Sequence, residues 1–327
     1  MRRVIGLVFV VCAACGGDEP QEEDTTVALS FTAPMAGEQF QRVNLDDIGA
    51  LVATVPMEVA ITGTPARVVI SIAGAEIADA SSGTATTSLG VAGPVTLQAT
   101  AFDAEGAPLT TAEVEIEIVE PAVATCREWL DLVGQEYTVG PASRGIVDPI
   151  TVKMPINGVP FRSGAGLRTT MLADCSLAKS LFLAAPYWRK RDIVEVRDLG
   201  VYNYRCINNS GTPPNCTIGL SEHSFGNAID LASFLDSAGE VYSVNDDWVI
   251  DPDDKTCTAP TEPGKDTMLH EMICELKAAK IWNIVLTPNY NALHRNHFHV
   301  DLTAGSDFIT RTVLDEGTHD HAHALDH

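Results

Sequence analysis

Apolar and polar residues alternate in short runs through the first third of the chain. Val68–Ile72, Val95–Ala99 and Val114–Ile118 are rich in Val, Ile and Thr, and Ala104–Pro108 has the composition of a turn. Alternation with a period of two and β-branched side chains are typical of half-buried strands. We therefore predict an all-β sandwich for residues 27–120, acting as a spacer without visible chemistry.

Beyond residue 120 the hydrophobic pattern changes to a mixture of two periods. Apolar residues at helical spacing predict one helix that is capped by Asp174 and runs to Ala185, and a second that is capped by Asp266 and runs to about Lys280. Strands are predicted at Ile193–Val196, Trp282–Leu286 and His297–Leu302. Because no regular βαβ repeat appears, we predict an α+β domain over residues 121–310, with an antiparallel sheet and flanking helices.

The start of the chain has the features of an export signal. A basic Met1–Arg3 precedes a short apolar run and Cys12–Cys15, with two alanines before the last cysteine. We predict that residues 1–15 are a signal peptide ending at a lipidated Cys15, because this arrangement resembles a bacterial lipoprotein processing site. Simple secretion, with both cysteines removed, is the alternative.

The predicted anchor fixes the expected location. Residues 16–26 would form an acidic linker, and no later stretch is long and apolar enough to cross a bilayer. The protein would therefore reach a membrane through its lipid anchor only. We expect an exported lipoprotein of the cell envelope, in the periplasm or at the outer membrane, or else a secreted protein.

Six further cysteines follow residue 120, an even number in a chain predicted to be exported. This favours a disulfide framework, formed by Cys126, Cys175, Cys206, Cys216, Cys257 and Cys274. Six cysteines allow 15 pairings, and the short loop makes Cys206–Cys216 the first expected bond. A cysteine zinc site is disfavoured because no Cys-x-x-Cys pair occurs among these six.

The net charge argues against two kinds of binding partner. The formal net charge is −23, which argues against nucleic acid and against a basic membrane-binding surface. Residues 311–327 form a His-rich acidic tail with the composition of a loose metal-collecting tract or of a solvated chain end.

Two short motifs contain the candidate chemistry. His223 and Asp230 lie seven residues apart across a Gly-containing turn, while His297, His299 and Asp301 would share one face of a strand. Imidazole suits zinc, and a catalytic zinc usually takes three protein ligands and keeps a fourth position open. We predict a Zn²⁺ site of His223, Asp230 and one strand histidine, with the other histidine beside it for proton transfer or oxyanion stabilisation. The residues alone leave the choice of histidine open.

The joint pattern Ser-x-His-x-x-Gly-x-Ala-x-Asp with a later His-x-His resembles the zinc D-Ala-D-Ala carboxypeptidases, the murein endopeptidases and the hedgehog signalling domain. The fuller text is similar to the bacterial extensin-like C-terminal domain family over roughly Cys126–Leu302. The matching pieces are Tyr204–Cys206, Leu220–His223, Gly226–Asp230, Pro288–Asn291 and His294–His299. For residues 27–120 the resemblance is to immunoglobulin-like modules of bacterial surface proteins.

The resemblance assigns roles to individual residues. It implies zinc ligands His223, Asp230 and His299, and leaves His297 as the catalytic group. Arg205 matches an arginine that holds the substrate's carboxylate or a backbone carbonyl, although a structural ion pair is the alternative reading of that residue. Asp301 is expected to orient a histidine ring from behind the metal.

Two neighbours of these motifs receive simpler interpretations. Glu222 is expected to face solvent or to position the turn, and His294 to lie at the surface or behind the ligands, with a contact to substrate less favoured.

These observations lead to one leading hypothesis and two alternatives. The leading one is an exported zinc-dependent peptidase or amidase that acts on peptidoglycan stem peptides. The first alternative is a non-catalytic wall-binding module with a vestigial or structural zinc site, because fold does not settle function. The second is metal capture by the tail and the site together.

Overall fold

The computed structural model describes residues 26–250, 256–258 and 263–309. The chain divides into two compact units. One contains Pro56–Thr86 and Thr96–Glu115 with the residues before Gly37, and the other contains Gly37–Val55, Thr87–Val95 and the chain from Ile116 onward. The boundary near residue 120 stays a prediction. The signal peptide with Cys15, nearly all of the acidic linker and the His-rich tail lie outside the described residues.

Residues 26–120 are built from strands. These are β1 Ala28–Ala33, β2 Gln39–Gln41, β3 Asn44–Leu45, β4 Leu51–Thr62, β5 Arg67–Ile72, β6 Ala75–Asp79, β7 Thr84–Leu89, β8 Gly93–Phe102 and β9 Pro108–Val119. One sheet has the order β1-β4-β3, with β7 also paired to β4, and the other has the order β2-β9-β8-β5-β6. Buried and exposed residues alternate along β4 and β9, so the predicted β-rich character is confirmed.

The following residues mix helices with strands. The helices are α1 Cys126–Leu132, α2 Cys175–Arg189, α3 Val244–Asp247 and α4 Lys265–Ala278. The strands are β10 Tyr137–Val139, β11 Pro149–Lys153, β12 Phe161–Ser163, β13 Gly166–Leu167, β14 Thr170–Asp174, β15 Ile193–Gly200, β16 Gly211–Thr212, β17 Asn215–Cys216, β18 Ala228–Asp236, β19 Val241–Ser243, β20 Ile284–Leu286, β21 Phe298–Asp301 and β22 Phe308–Ile309.

The principal sheet has the order β13-β12-β15-β18-β21-β20-β22, with β19 also paired to β18. Most pairs are antiparallel as predicted, but β12 runs parallel to β15, and β20 runs parallel to β22. Smaller sheets have the order β10-β11-β14 and β16-β17. The described helices and sheets therefore give the mixed character that the interleaved periods predicted.

One face of the principal sheet is covered by an aromatic core. The ring of Trp188, in α2, lies 5.9 Å from Phe161, 6.2 Å from Phe234 and 6.4 Å from Trp282. Phe298 of β21 is also fully buried in this core. Since side chains alternate along a strand, His299 and Asp301 lie on the opposite face, which leaves that face available for polar chemistry.

The two predicted helix caps have different outcomes. Asp174 caps α2, and its carboxylate accepts a hydrogen bond from the Ser176 amide at 2.9 Å. The prediction for Asp266 was wrong, because α4 begins at Lys265 after Gly264. Asp266 is buried within the first turn and accepts a hydrogen bond from the Val249 amide at 2.9 Å. Its carboxylate therefore accepts a hydrogen bond from a residue outside the helix, and the N-cap position belongs to Gly264.

The six cysteines form three disulfide bonds, Cys126–Cys175, Cys206–Cys216 and Cys257–Cys274. This confirms the predicted framework and the first expected pair. All six sulfurs are thus engaged, so the candidate metal ligands among the described residues are histidines and carboxylates.

Candidate metal centre

A tight turn positions the first histidine. Residues Glu222–Phe225 form a short 3₁₀ helix that ends at Gly226, where φ is 67°. The Asp174 amide donates to the Gly226 carbonyl at 3.1 Å, and a Cβ on Gly226 would lie 2.8 Å from the same amide nitrogen. The glycine of the motif is therefore required both by its left-handed backbone and by this close approach.

Strand pairing brings the second and third residues together. β18 starts two residues after Gly226 and pairs antiparallel with β21, with Asp230 directly opposite His299. Cross-strand partners share one face of a sheet, so the carboxylate and the imidazole meet although 69 residues separate them. The turn places His223 against the same face.

One carboxylate oxygen faces three imidazoles. Asp230 Oδ1 lies 3.2 Å from His223 Nε2, 2.9 Å from His299 Nδ1 and 3.4 Å from His297 Nε2. The ligand atoms of His223, Asp230 and His299 all lie within 4.8 Å of one another. The structure thus brings together the predicted trio and places His297 beside it. His297 precedes β21 rather than belonging to it, so strand alternation was not what brought it to the site.

The ring nitrogens that point away from the cluster also have partners. His223 Nδ1 lies 2.6 Å from the Val201 carbonyl, His299 Nε2 lies 3.0 Å from Asp301 Oδ2, and His297 Nδ1 lies 2.8 Å from Asn296 Oδ1. A hydrogen bond at the outer nitrogen fixes the tautomer and the ring orientation, which leaves the inner nitrogen free to bind. Asp301 thus lies behind His299, on the side of the ring away from Asp230.

This donor set fits zinc. Two imidazole nitrogens and one carboxylate oxygen match the three-ligand pattern of catalytic zinc sites. Ligands with bonds of about 2.0–2.2 Å at tetrahedral angles lie roughly 3.3–3.5 Å apart. The separations of 3.2 Å and 2.9 Å around Asp230 Oδ1 are slightly shorter, and all three ligand atoms lie within 4.8 Å of one another.

The charges in the cluster are strongly coupled. Burial alone would lower the pKa of His299, but hydrogen bonds to Asp230 and Asp301 outweigh it and raise this pKa to about 9. Burial would likewise raise the pKa of Asp230, but hydrogen bonds from His223 and His299 hold it far below its usual range. In the metal-free protein, His299 is therefore an imidazolium between two carboxylates, as a partly assembled cation site should be.

A cavity of about 470 Å³ opens over the cluster, and its wall includes Asp230, His297 and His299. Arg205 also lines it. The guanidinium forms neither a hydrogen bond nor an ion pair with any residue that the structure describes, so the structural ion pair considered for Arg205 does not form there. A guanidinium on a cavity wall, with no ion-pair partner among the described residues, suits an anionic group of a bound molecule.

Two further residues of this wall lie beside the motif histidines. Glu222 was expected to face solvent or position the turn, but it is half-buried and lines the cavity, and burial together with Asp301 raises its pKa. His294 lies with its ring 5.2 Å from His297, and its pKa falls to about 3, chiefly through burial. The sequence feature that could have identified both is their position. Glu222 directly precedes His223, and His294 lies three residues before His297.

Comparison with known proteins identifies the family but names no activity. No curated protein matches the chain. A solved structure of the fibronectin(III)-like modules of Clostridium thermocellum CbhA is similar over 30% of this chain and 100% of its own, with 15% identity and a TM-score of 0.24. The family model for the extensin-like protein C-terminus matches residues 139–310. That span is more than half of the 327 residues and includes every residue of the cluster, and the chain therefore belongs to the extensin-like protein C-terminus family.

Proposed function

We propose that this protein is a zinc-dependent peptidase or amidase that acts on peptidoglycan stem peptides. The observation that carries the proposal is the convergence of His223, Asp230 and His299 under a cavity that Arg205 also lines. The choice of peptidoglycan rests on the resemblance of the two motifs to zinc carboxypeptidases and murein endopeptidases.

Three side chains would hold the metal, and the hydrogen-bond partners of the two histidines would keep their rings oriented towards it. His223 would bind through Nε2, His299 through Nδ1 and Asp230 through Oδ1, because these are the atoms that face one another. Zinc supplies a Lewis acid that polarises a carbonyl and makes water available as a nucleophile at neutral pH. Asp301 would support His299 by accepting its second N–H, which makes the ring a better donor to the metal.

His297 is the proposed group for proton transfer. Its Nδ1 is turned to Asn296, and its Nε2 faces the cluster from 3.4 Å without belonging to the ligand trio. An imidazole in that place would accept a proton from the attacking water at Nε2 and return it to the leaving amine. General acid–base catalysis of this kind contributes roughly 10²–10⁴-fold to a rate.

Arg205 would orient the substrate. A guanidinium binds a carboxylate through two parallel hydrogen bonds and fixes its direction as well as its position. A terminal carboxylate or a backbone carbonyl of a peptide would satisfy this group and place the adjacent bond over the cluster.

Metal content and hydrolysis, measured on the same protein samples, test the proposal. Wild-type protein should contain about one zinc and release amines from purified peptidoglycan, whereas folded His223→Ala and His299→Ala variants should lose both. His294→Ala is the matched control for zinc, because this histidine lines the same cavity but lies outside the trio. Full hydrolysis by either ligand variant would refute the proposal, as would a zinc-loaded wild type that binds the wall but never cuts it.

A further inference from the structure

The sheet face that holds the metal ligands continues into an apolar surface. On β21, His299 pairs with Leu286 of β20, and Asp301 pairs with Ile284. Ile284 pairs in turn with Phe308 of β22. Because directly paired residues point to the same side of a sheet, the ligand row on β18 and β21 passes directly into an apolar row on β20 and β22.

The cavity includes this apolar row. Ile284, Leu286 and Phe308 all line it, together with the cluster residues. Further apolar side chains come from outside the sheet, and these are Ile207, Ile218, Leu220, Phe225 and Leu293. A pocket that needed only to admit a methyl group would not require so many large apolar side chains around it.

Several of these side chains are unusually open to solvent. Phe308 is 44% exposed, Ile218 is 39% exposed and Leu293 is 64% exposed. Exposed apolar side chains that gather around one cavity mark a binding surface, whereas scattered ones do not. Here the gathering lies beside the proposed metal centre, on the wall of the same cavity.

We propose that Leu286 and Phe308, with Ile284 beneath them, form a specificity subsite for a bulky apolar side chain on the residue next to the bond that is cut. The proposal rests on the proposed metal centre for its catalytic meaning, but not for the binding itself. This extends the proposed substrate range beyond stem peptides with alanine at the bond, because a peptide with an aromatic or branched apolar residue beside the scissile bond would fill the subsite and be cut faster.

The expected discrimination follows from the apolar surface that is removed from water. Each additional buried CH₂ group strengthens binding roughly fourfold, and an apolar pocket distinguishes ligands that differ by one methylene by roughly 10–200-fold. A phenylethyl group should therefore bind at least about tenfold more tightly than a methyl group on the same anion. Anions are suitable probes because Arg205 lines the same cavity.

The test compares 3-phenylpropanoate with acetate as ligands of the purified protein, with affinities measured by titration calorimetry or NMR. We expect 3-phenylpropanoate to bind at least about tenfold more tightly, and Leu286→Ala and Phe308→Ala each to reduce that ratio severalfold. Phe308→Ala is the safer variant because the side chain is 44% exposed. Leu199→Ala is the matched control, since Leu199 lies on β15 of the same sheet and is 52% exposed.

The two proposals fail in different ways. Equal affinities for the two anions, binding of neither, or a ratio that both cavity variants leave unchanged would overturn the apolar subsite. An intact ratio in a protein that cuts no peptide would overturn the peptidase proposal and leave the subsite standing. If peptides are cut, those with phenylalanine or leucine beside the scissile bond should have a kcat/KM at least about tenfold above those with alanine.

Discussion

Raising the pH of the metal-free protein from 6.5 to 9 should destabilise it, because His299 loses its proton over that interval. The folded-state pKa of His299 is raised to about 9 by hydrogen bonds to Asp230 and Asp301, against the opposing effect of burial. A group with a raised pKa contributes stability that is fully present below its ordinary value near 6.5 and is lost as the pH rises through the folded value. The unfolding free energy of the metal-free protein should therefore be larger at pH 6.5 than at pH 9.

The size of the effect follows from the shift. Moving a pKa from 6.5 to about 9 corresponds to roughly 3 kcal/mol of unfolding free energy. The pKa of His294 falls to about 3 and that of His297 is also lowered, both chiefly by burial, so neither histidine makes stability fall as the pH rises. Among these three histidines, His299 is thus the one that controls the slope between pH 6.5 and 9.

Zinc should cancel this trend. Zinc must replace the proton at His299 Nδ1, so its apparent affinity should increase up to about tenfold per pH unit until the pH approaches 9. Stabilisation by a ligand grows with its concentration over its Kd. This growing contribution offsets the stability that the metal-free protein loses, so the unfolding free energy of the zinc-loaded protein should stay nearly constant from pH 6.5 to 9.

The assay is urea unfolding between pH 6.5 and 9, in EDTA and in saturating zinc. Asp301→Asn removes one of the two carboxylates beside His299 and should flatten the slope of the metal-free protein. Glu271→Gln, an exposed position on α4, is the control and should retain the wild-type slope. A metal-free protein whose stability is constant or rises across this interval would show that His299 is not held as an imidazolium.

Three further substitutions test other parts of the site and its support. Arg205→Lys should raise KM and leave zinc content unchanged, since a point charge replaces a two-pronged donor; an unchanged KM for anionic substrates would contradict the proposed role. Gly226→Ala should lower the unfolding free energy by roughly 1–3 kcal/mol, because φ is +67° and the new Cβ would press on the Asp174 amide. Arg168→Ala should lower the unfolding free energy in urea by roughly 3–5 kcal/mol, because it removes the ion-pair partner of the fully buried Asp198 carboxylate. A loss below about 1 kcal/mol would refute this.

Sequence alone was sufficient where the relevant spacing is local. The seven residues from His223 to Asp230 cross one turn and enter one strand, so both ends of the motif were visible in a single stretch. The pairing of Asp230 with His299 involves strands far apart in the chain, and no local pattern contains it. The family resemblance supplied that link by joining two distant motifs.

Other features depended on contacts that a linear pattern does not contain. Alternation could not choose between His297 and His299, because it places both side chains on one face of the predicted strand. In the structure only His299 belongs to β21. Asp266 had the chemistry of a helix cap, but its carboxylate pairs with the Val249 amide. The pKa of Glu222 likewise depends on Asp301 and Thr303, which lie in another part of the chain.

The disulfide between Cys206 and Cys216 has a consequence for how binding preference can be altered. It closes a ring whose members Ile207, Asn208 and Asn209 line the cavity, while the ligand trio lies wholly outside the ring. Residues 207–215 can therefore be exchanged as one unit between covalently fixed ends. Libraries built in this ring would change one wall of the cavity and leave the chemistry of the ligands in place.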